Sequence, residues 1–137
     1  MRHLFFLSVI IFITSCSKED ITKITSMDIL TQPGWKPIAI LNKDSSMKES
    51  HPDLPTIFIR FNKNGIINGN FDGKFILLNE TTIKYSMQLD TIYAPYPVWF
   101  YTFQNLVKEE QTATLLFHSY SSFEIINEKN RIVFERY

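Results

Sequence analysis

One cysteine, Cys16, stands among 137 residues, so no disulfide within the chain can staple its fold. The three histidines, His3, His51 and His118, do not make a zinc site, which takes three or four ligands. No His-x-x-x-His or Glu-x-x-His spacing occurs, and neither a metal nor a cofactor is expected. Four glycines spread over separate turns form no loop that cradles phosphate. No Gly-x-Ser-x-Gly elbow presents a nucleophile; the serines gather at Ser45-Ser46 and at residues 119–122 without a framing glycine. Adjacent carboxylates such as Glu109-Glu110 diverge on a helix. Lys plus Arg and Asp plus Glu number 14 each, which removes the electrostatic case for nucleic acid or for an anionic membrane face. No repeat, low-complexity tract or second long apolar run is present. The chain is therefore not expected to be an enzyme.

The one apolar run covers residues 4–13 (LFFLSVIIFI), behind Arg2 and His3. As a helix it spans about 15 Å, half of a ~30 Å hydrocarbon core, so it is too short to cross. Its proportions are those of a secretory signal peptide. Ile13-Thr14-Ser15-Cys16 then has the order of a lipobox: a branched apolar residue, two small residues, and cysteine. The thiolate is the strongest side-chain nucleophile near neutral pH, which suits Cys16 to accept a diacylglyceryl group. Two or more acyl chains anchor stably where one holds marginally. Ser17-Lys18-Glu19-Asp20 follows, compatible with passage to an outer membrane and with display on its surface; a solvated linker is the plainer alternative. The expected organisation is a signal peptide at residues 1–15, a lipidated cysteine and tether at 16–33, and one domain at 34–137.

Removal of residues 1–15 leaves 122 residues with a formal charge of −1, since Arg2 is lost. A chain of this size buries about 60–70% of its unfolded surface, enough to fold on its core. Aromatics supply 15% of residues, with 12 phenylalanines. Residues 17–32 read as a polar tether with a helical turn near 26–30, closed by Pro33-Gly34. Residues 35–41 read as a strand at an edge, or one that begins after Pro37, and 42–55 as a polar loop. In residues 56–62, Ile57, Ile59 and Phe61 face one way and Phe58 and Arg60 the other. Asn64-Gly65 supplies tight-turn chemistry. Strands at 65–71, 74–78 and 81–89 follow, with turns at Asp72-Gly73 and Asn79-Glu80, making an antiparallel meander.

Prolines 95 and 97 preclude a regular strand over 90–97, and residues 99–103 (WFYTF) fit a buried strand or the start of a helix. Phe103, Leu106, Ala113, Phe117 and Tyr120 form a helical stripe, so a helix is expected over 107–120, with Glu109 and Glu110 in its first turn and His118 near its end. Residues 122–127 and 131–137 close the chain as a hairpin. The fold class expected is mainly β (α+β): an antiparallel, partly barrel-like sheet with one helix near the C-terminus.

From about residue 34 onward the chain resembles the META domain family, which includes HslJ-like bacterial lipoproteins. The resemblance rests on PTIFIRFNKNGIINGNFDGKF, like that family's Phe-x-x-x-Gly-x-x-x-Gly followed by a strand, and on SSFEIINEKNRIVFERY, like its closing Tyr-x-Ile, turn and Val-Phe-Glu-Arg. Many members carry Gly-Cys-Asn after the hairpin; here Asn70 follows Gly69, so any role of that cysteine does not carry over. The resemblance implies a compact β-rich domain with a packed helix, usually on an envelope lipoprotein, without established enzymatic activity.

One further stretch suits contact with a partner: Tyr93, Tyr96, Trp99 and Tyr101, hydroxyl-bearing or indole side chains on a proline-stiffened segment. The alternative is that they cap an open end of the sheet. His51, beside Pro52 and Asp53, reads as a solvated loop residue. The function expected is a monomeric envelope lipoprotein, held at the outer membrane by acyl chains on Cys16, facing the periplasm or the cell surface. Its domain would serve as an interaction or envelope-maintenance module, with an unidentified protein as partner; the alternative is a lipocalin-like carrier of a small apolar ligand.

Overall fold

Side chains that alternate along a strand sort themselves between a wall's two faces, and this chain uses that rule almost throughout. The computed structural model describes residues 23–44, 46–50, 57–90 and 98–137. They form helix α1 (Ser26–Leu30), then strands β1 (Trp35–Asn42), β2 (Met47–Ser50), β3 (Ile59–Phe61), β4 (Ile66–Gly69), β5 (Phe71–Asn79) and β6 (Thr82–Leu89). Helix α2 (Val98–Val107) follows, then β7 (Gln111–Ser119), β8 (Ser122–Ile126) and β9 (Asn130–Arg136). Each strand from β3 to β8 pairs antiparallel with the next. Strand β1 pairs along β9 and meets β3 at Trp35↔Ile59, so eight antiparallel strands form a ring-like sheet. β2 adds to β1 at residues 39–41. The protein is mainly β, with a helix in its C-terminal half.

Inward faces match the alternation. Ile57, Ile59 and Phe61 are buried, as are Ile83, Tyr85, Met87 and Leu89 on β6 and Ile132 and Phe134 on β9. Pro37 lies inside β1, at a bulge in the pairing with β9 and between the points where β1 meets β3 and β2. A residue without an N–H is tolerated at such a break in the ladder.

Four local expectations are corrected. The chain does not turn at Asp72-Gly73 but at Gly69-Asn70. Gly69 has φ +131°, and a Cβ there would lie 2.2 Å from the Phe58 carbonyl oxygen. Asn70 N–H donates to that carbonyl (2.8 Å), and Asn70 Oδ1 accepts from Phe58 N–H (2.7 Å). Gly73 instead lies within β5, where β6 approaches closely. The helix expected over 107–120 is strand β7: Ala113 and Leu115 are buried and alternate with exposed Thr112, Thr114 and Leu116, and threonines favour strand over helix. Phe103 and Leu106 belong to α2, so the apparent stripe joined two elements, and residues 99–103 are helix. Part of the expected loop at 42–55 is β2. Finally, α1, expected as a turn in a free tether, is docked. It starts with a capping box between Thr25 and Asp28, Ser26 bonds to Glu80, and the Trp35 indole N–H donates to the Leu30 carbonyl (2.8 Å).

The two helices cover opposite ends. α1 sits with the β3–β4, β5–β6 and β7–β8 turns, and α2 with the opposite strand ends, where Gln104 Oε1 accepts from Leu89 N–H (2.8 Å). Between them the interior is filled by aromatics. Phe123 stacks on Phe134 (4.8 Å between centroids, 3°) and meets Trp35 edge-on at 4.7 Å. It also contacts Phe61 and Phe117. Phe103 of α2 reaches in to Phe71 and Phe134.

Phe123→Ala should lower unfolding free energy by about 3–5 kcal/mol, whereas Ile76→Ala, on the outer wall and 62% exposed, should change it by no more than about 0.5 kcal/mol. Urea unfolding checks both, and similar losses at the two positions would contradict a filled centre.

Candidate functional site

Helix α2 forms because Trp99, Phe100, Phe103 and Val107 repeat at helical spacing and all four are buried. Its last carbonyls are satisfied locally: Lys108 N–H donates to Gln104 O (2.9 Å) and Gln111 Nε2 to Leu106 O (2.6 Å). This placement divides the aromatic segment. Trp99 is 4% exposed and packs on Phe103, while Tyr101 is 43% exposed on the outer face. Tyr93, Tyr96, His51 and Cys16 lie outside the described residues.

Beside the end of α2 opens a polar cleft of about 600 Å³, lined by Asn105, Leu106, Gln111, Thr112 and residues 127–130. Asn127 organises its floor: Oδ1 accepts from the backbone N–H of Lys129 (2.9 Å) and Asn130 (2.7 Å), and Nδ2 donates to Gln111 Oε1 (3.2 Å). These amides bond to the backbone and to one another. Exposed Asn105, Thr112, Glu128 and Lys129 face water, and they can offer hydrogen bonds and charge of both signs to a polar partner. Sequence reasoning missed the cleft because isolated polar residues around turns carry no spacing signal.

A second cluster lies on the outer wall. Glu124 sits between inward-facing Phe123 and Ile125, so its carboxylate points outward, yet the residue is 6% exposed. His118 Nε2 lies 2.8 Å from one carboxylate oxygen and Arg131 Nε 2.6 Å from the other. The register explains the meeting: Glu124 faces Leu116 and Val133, and His118 and Arg131 are the diagonal neighbours two residues away. Expecting a helix over 107–120 hid this arrangement. Burial pushes the Glu124 carboxyl up, but the hydrogen bonds from Arg131 and His118 outweigh it and hold the group below its ordinary value. Ser119 and Ser121 in the adjacent turn bond to each other (3.1 Å). The cluster ties three strands together through hydrogen bonds to one carboxylate, and within it Glu124 and Arg131 form a largely buried ion pair.

Inside the ring, the Tyr85 hydroxyl is buried with no hydrogen-bond partner among the described residues, and burial raises its pKa. An unsatisfied hydroxyl of this kind costs about 1–3 kcal/mol. Among the described residues, no group of three His, Cys, Asp or Glu side chains is placed to hold a metal ion. No helix among them is long and apolar enough to cross a membrane. Comparison of the chain with models of protein families, with curated proteins and with solved structures yields no match.

Two outcomes follow. Trp99→Ala should destabilise the fold by about 3–5 kcal/mol, while Tyr101→Ala should leave the thermal transition within about 0.5 kcal/mol of native stability, so Tyr101 is the position at which partner capture can be tested without unfolding. Glu124 has a folded pKa below its ordinary 4.5. Its stabilisation is therefore complete above about 4.5 and lost as pH falls through the depressed folded value. Urea midpoints from about pH 7 to about pH 3 should drop less steeply in Glu124→Gln than in the native chain; parallel curves would remove Glu124 from the acid response.

Proposed function

We propose that this chain is a membrane-anchored envelope lipoprotein whose META-like domain is a non-enzymatic interaction or envelope-maintenance module. The observation that carries the reading is the order of residues 2–16: a basic start, ten residues of apolar run too short to cross, and Ile13-Thr14-Ser15-Cys16. Acylation of Cys16 holds the domain at the outer membrane, on its periplasmic or cell-surface face. The domain itself, one ring of strands with a filled interior, needs no thiol for its stability. The carrier alternative needs a hollow interior, and it draws little support from a ring whose centre is occupied by Phe61, Phe71, Phe103, Phe123 and Phe134, each at most 1% exposed. The cleft beside α2 and exposed Tyr101 offer surface for a partner of polar chemistry.

Labelled palmitate fed to growing cells should enter the native chain and not Cys16→Ala, and the variant should leave the membrane fraction. Palmitate in the variant, or none in the native chain, would overturn the reading.

A further inference from the structure

Exposed apolar side chains are unevenly distributed over this domain. At the end capped by α1, Ile24 is 50% exposed, Tyr120 58% and Tyr137 68%, with Leu78 at 54% beside the β5–β6 turn and Ile66 at 39% just past the β3–β4 turn. The α2 end exposes Val98 and Tyr101, and the wall between them Ile76 and Leu116. Ile24 and Tyr120 border one shallow apolar groove between α1 and the β7–β8 turn, with Ile29 and Phe117 at its floor. Five large apolar groups thus gather at one end, three of them at or beside its hairpin turns, where solvated polar residues are the rule.

The chain enters the domain at that same end. Lys23, the first described residue, lies three positions before the start of α1 and seven positions after Cys16. Seven residues reach at most about 25 Å, while β5 alone runs about 30 Å along its nine residues. An anchor on Cys16 therefore keeps the α1 end beside the lipid and leaves the α2 end a strand length farther away.

We infer that the α1 end is a lipid-docking face: Ile24, Leu78, Tyr120 and Tyr137 dip into the interfacial layer of the phospholipid surface that holds the anchor. The inference rests on the acylation of Cys16 proposed above. The contact is apolar and interfacial rather than electrostatic, in keeping with the balanced charge of the chain. Tyrosines suit it, because the aromatic body partitions into the acyl boundary while the hydroxyl stays among headgroups. Such a patch would bind free lipid only weakly, but a short tether presents it at a millimolar effective concentration, so weak partition suffices to hold one orientation.

Once Cys16 is acylated, an introduced cysteine is the only free thiol, which gives a clean readout. The full lipidated chain, carrying Tyr120→Cys, Leu78→Cys or Tyr101→Cys with an environment-sensitive fluorophore, is placed in phosphatidylethanolamine–phosphatidylglycerol vesicles containing nitroxide-labelled lipid. Emission at positions 120 and 78 should shift to the blue and be quenched at least about threefold more than at position 101. Equal quenching at all three positions, or strongest quenching at 101, overturns the docking face. A blue shift at 120 and 78 without lipid quenching assigns the patch to a protein surface and also overturns it. Palmitate labelling and vesicle flotation of the same samples separate the two layers of the argument. A chain that carries palmitate and floats but shows water-like labels has lost only the docking face, whereas a chain without palmitate has lost the anchor as well.

Discussion

The structure depends on the packing of Phe123. That one side chain stacks on Phe134, meets Trp35 edge-on, and touches Phe61 and Phe117, so it joins β8 to β9, β1, β3 and β7 through the interior. A ring of strands gains its closing hydrogen bonds only if its two edges meet, and here they meet through one register pair, Trp35↔Ile59. Both residues of that pair are fully buried. Closure and core filling are thus one event: the aromatic centre brings the edges within bonding distance. With no disulfide available to the fold, that centre is its staple.

Much of this wall could be read from the sequence because strand alternation is a local property. Ile57-x-Ile59-x-Phe61 and Ile83-x-Tyr85-x-Met87-x-Leu89 declare their faces without reference to anything distant. The errors arose where two local signals competed. Residues 103–120 hold helical spacing across an element boundary, and only the Thr112-Ala113-Thr114 alternation betrays the strand within. Asp72-Gly73 has better turn chemistry than Gly69-Asn70, yet the chain turns at the latter because Phe71 and Phe75 must both point inward on one strand and β6 must pass close to Gly73. Such choices are made by tertiary packing, which no short window contains.

The candidate sites were less legible for the same reason. Glu124, His118 and Arg131 lie on three strands and meet only through register, so a single misread strand conceals them. The cleft beside α2 is made of amides whose bonds run mainly to one another and to backbone. Trp99 illustrates the reverse case: its type suggested a binding aromatic, but its position on the stripe Trp99, Phe103, Val107 commits it to the core. Residue type proposes and periodicity decides. Tyr101, two positions along and off that stripe, keeps the exposed role.

An anchored domain differs from a free one because the chain entry point selects which surfaces meet a partner. Here α1 receives the chain, and its end carries the apolar turns; α2 caps the opposite end, beside the polar cleft and Tyr101. If the α1 end rests on lipid, the cleft faces away from the membrane, across the aqueous space that an envelope partner would occupy. The two ends then differ in chemistry: more large apolar groups are exposed toward the bilayer, and the polar cleft lies away from it. A hollow ring would not need this division, since its ligand would lie inside. A filled one has only its surface to offer, and the attachment proposed through Cys16 would leave the α2 end as the surface free to offer it.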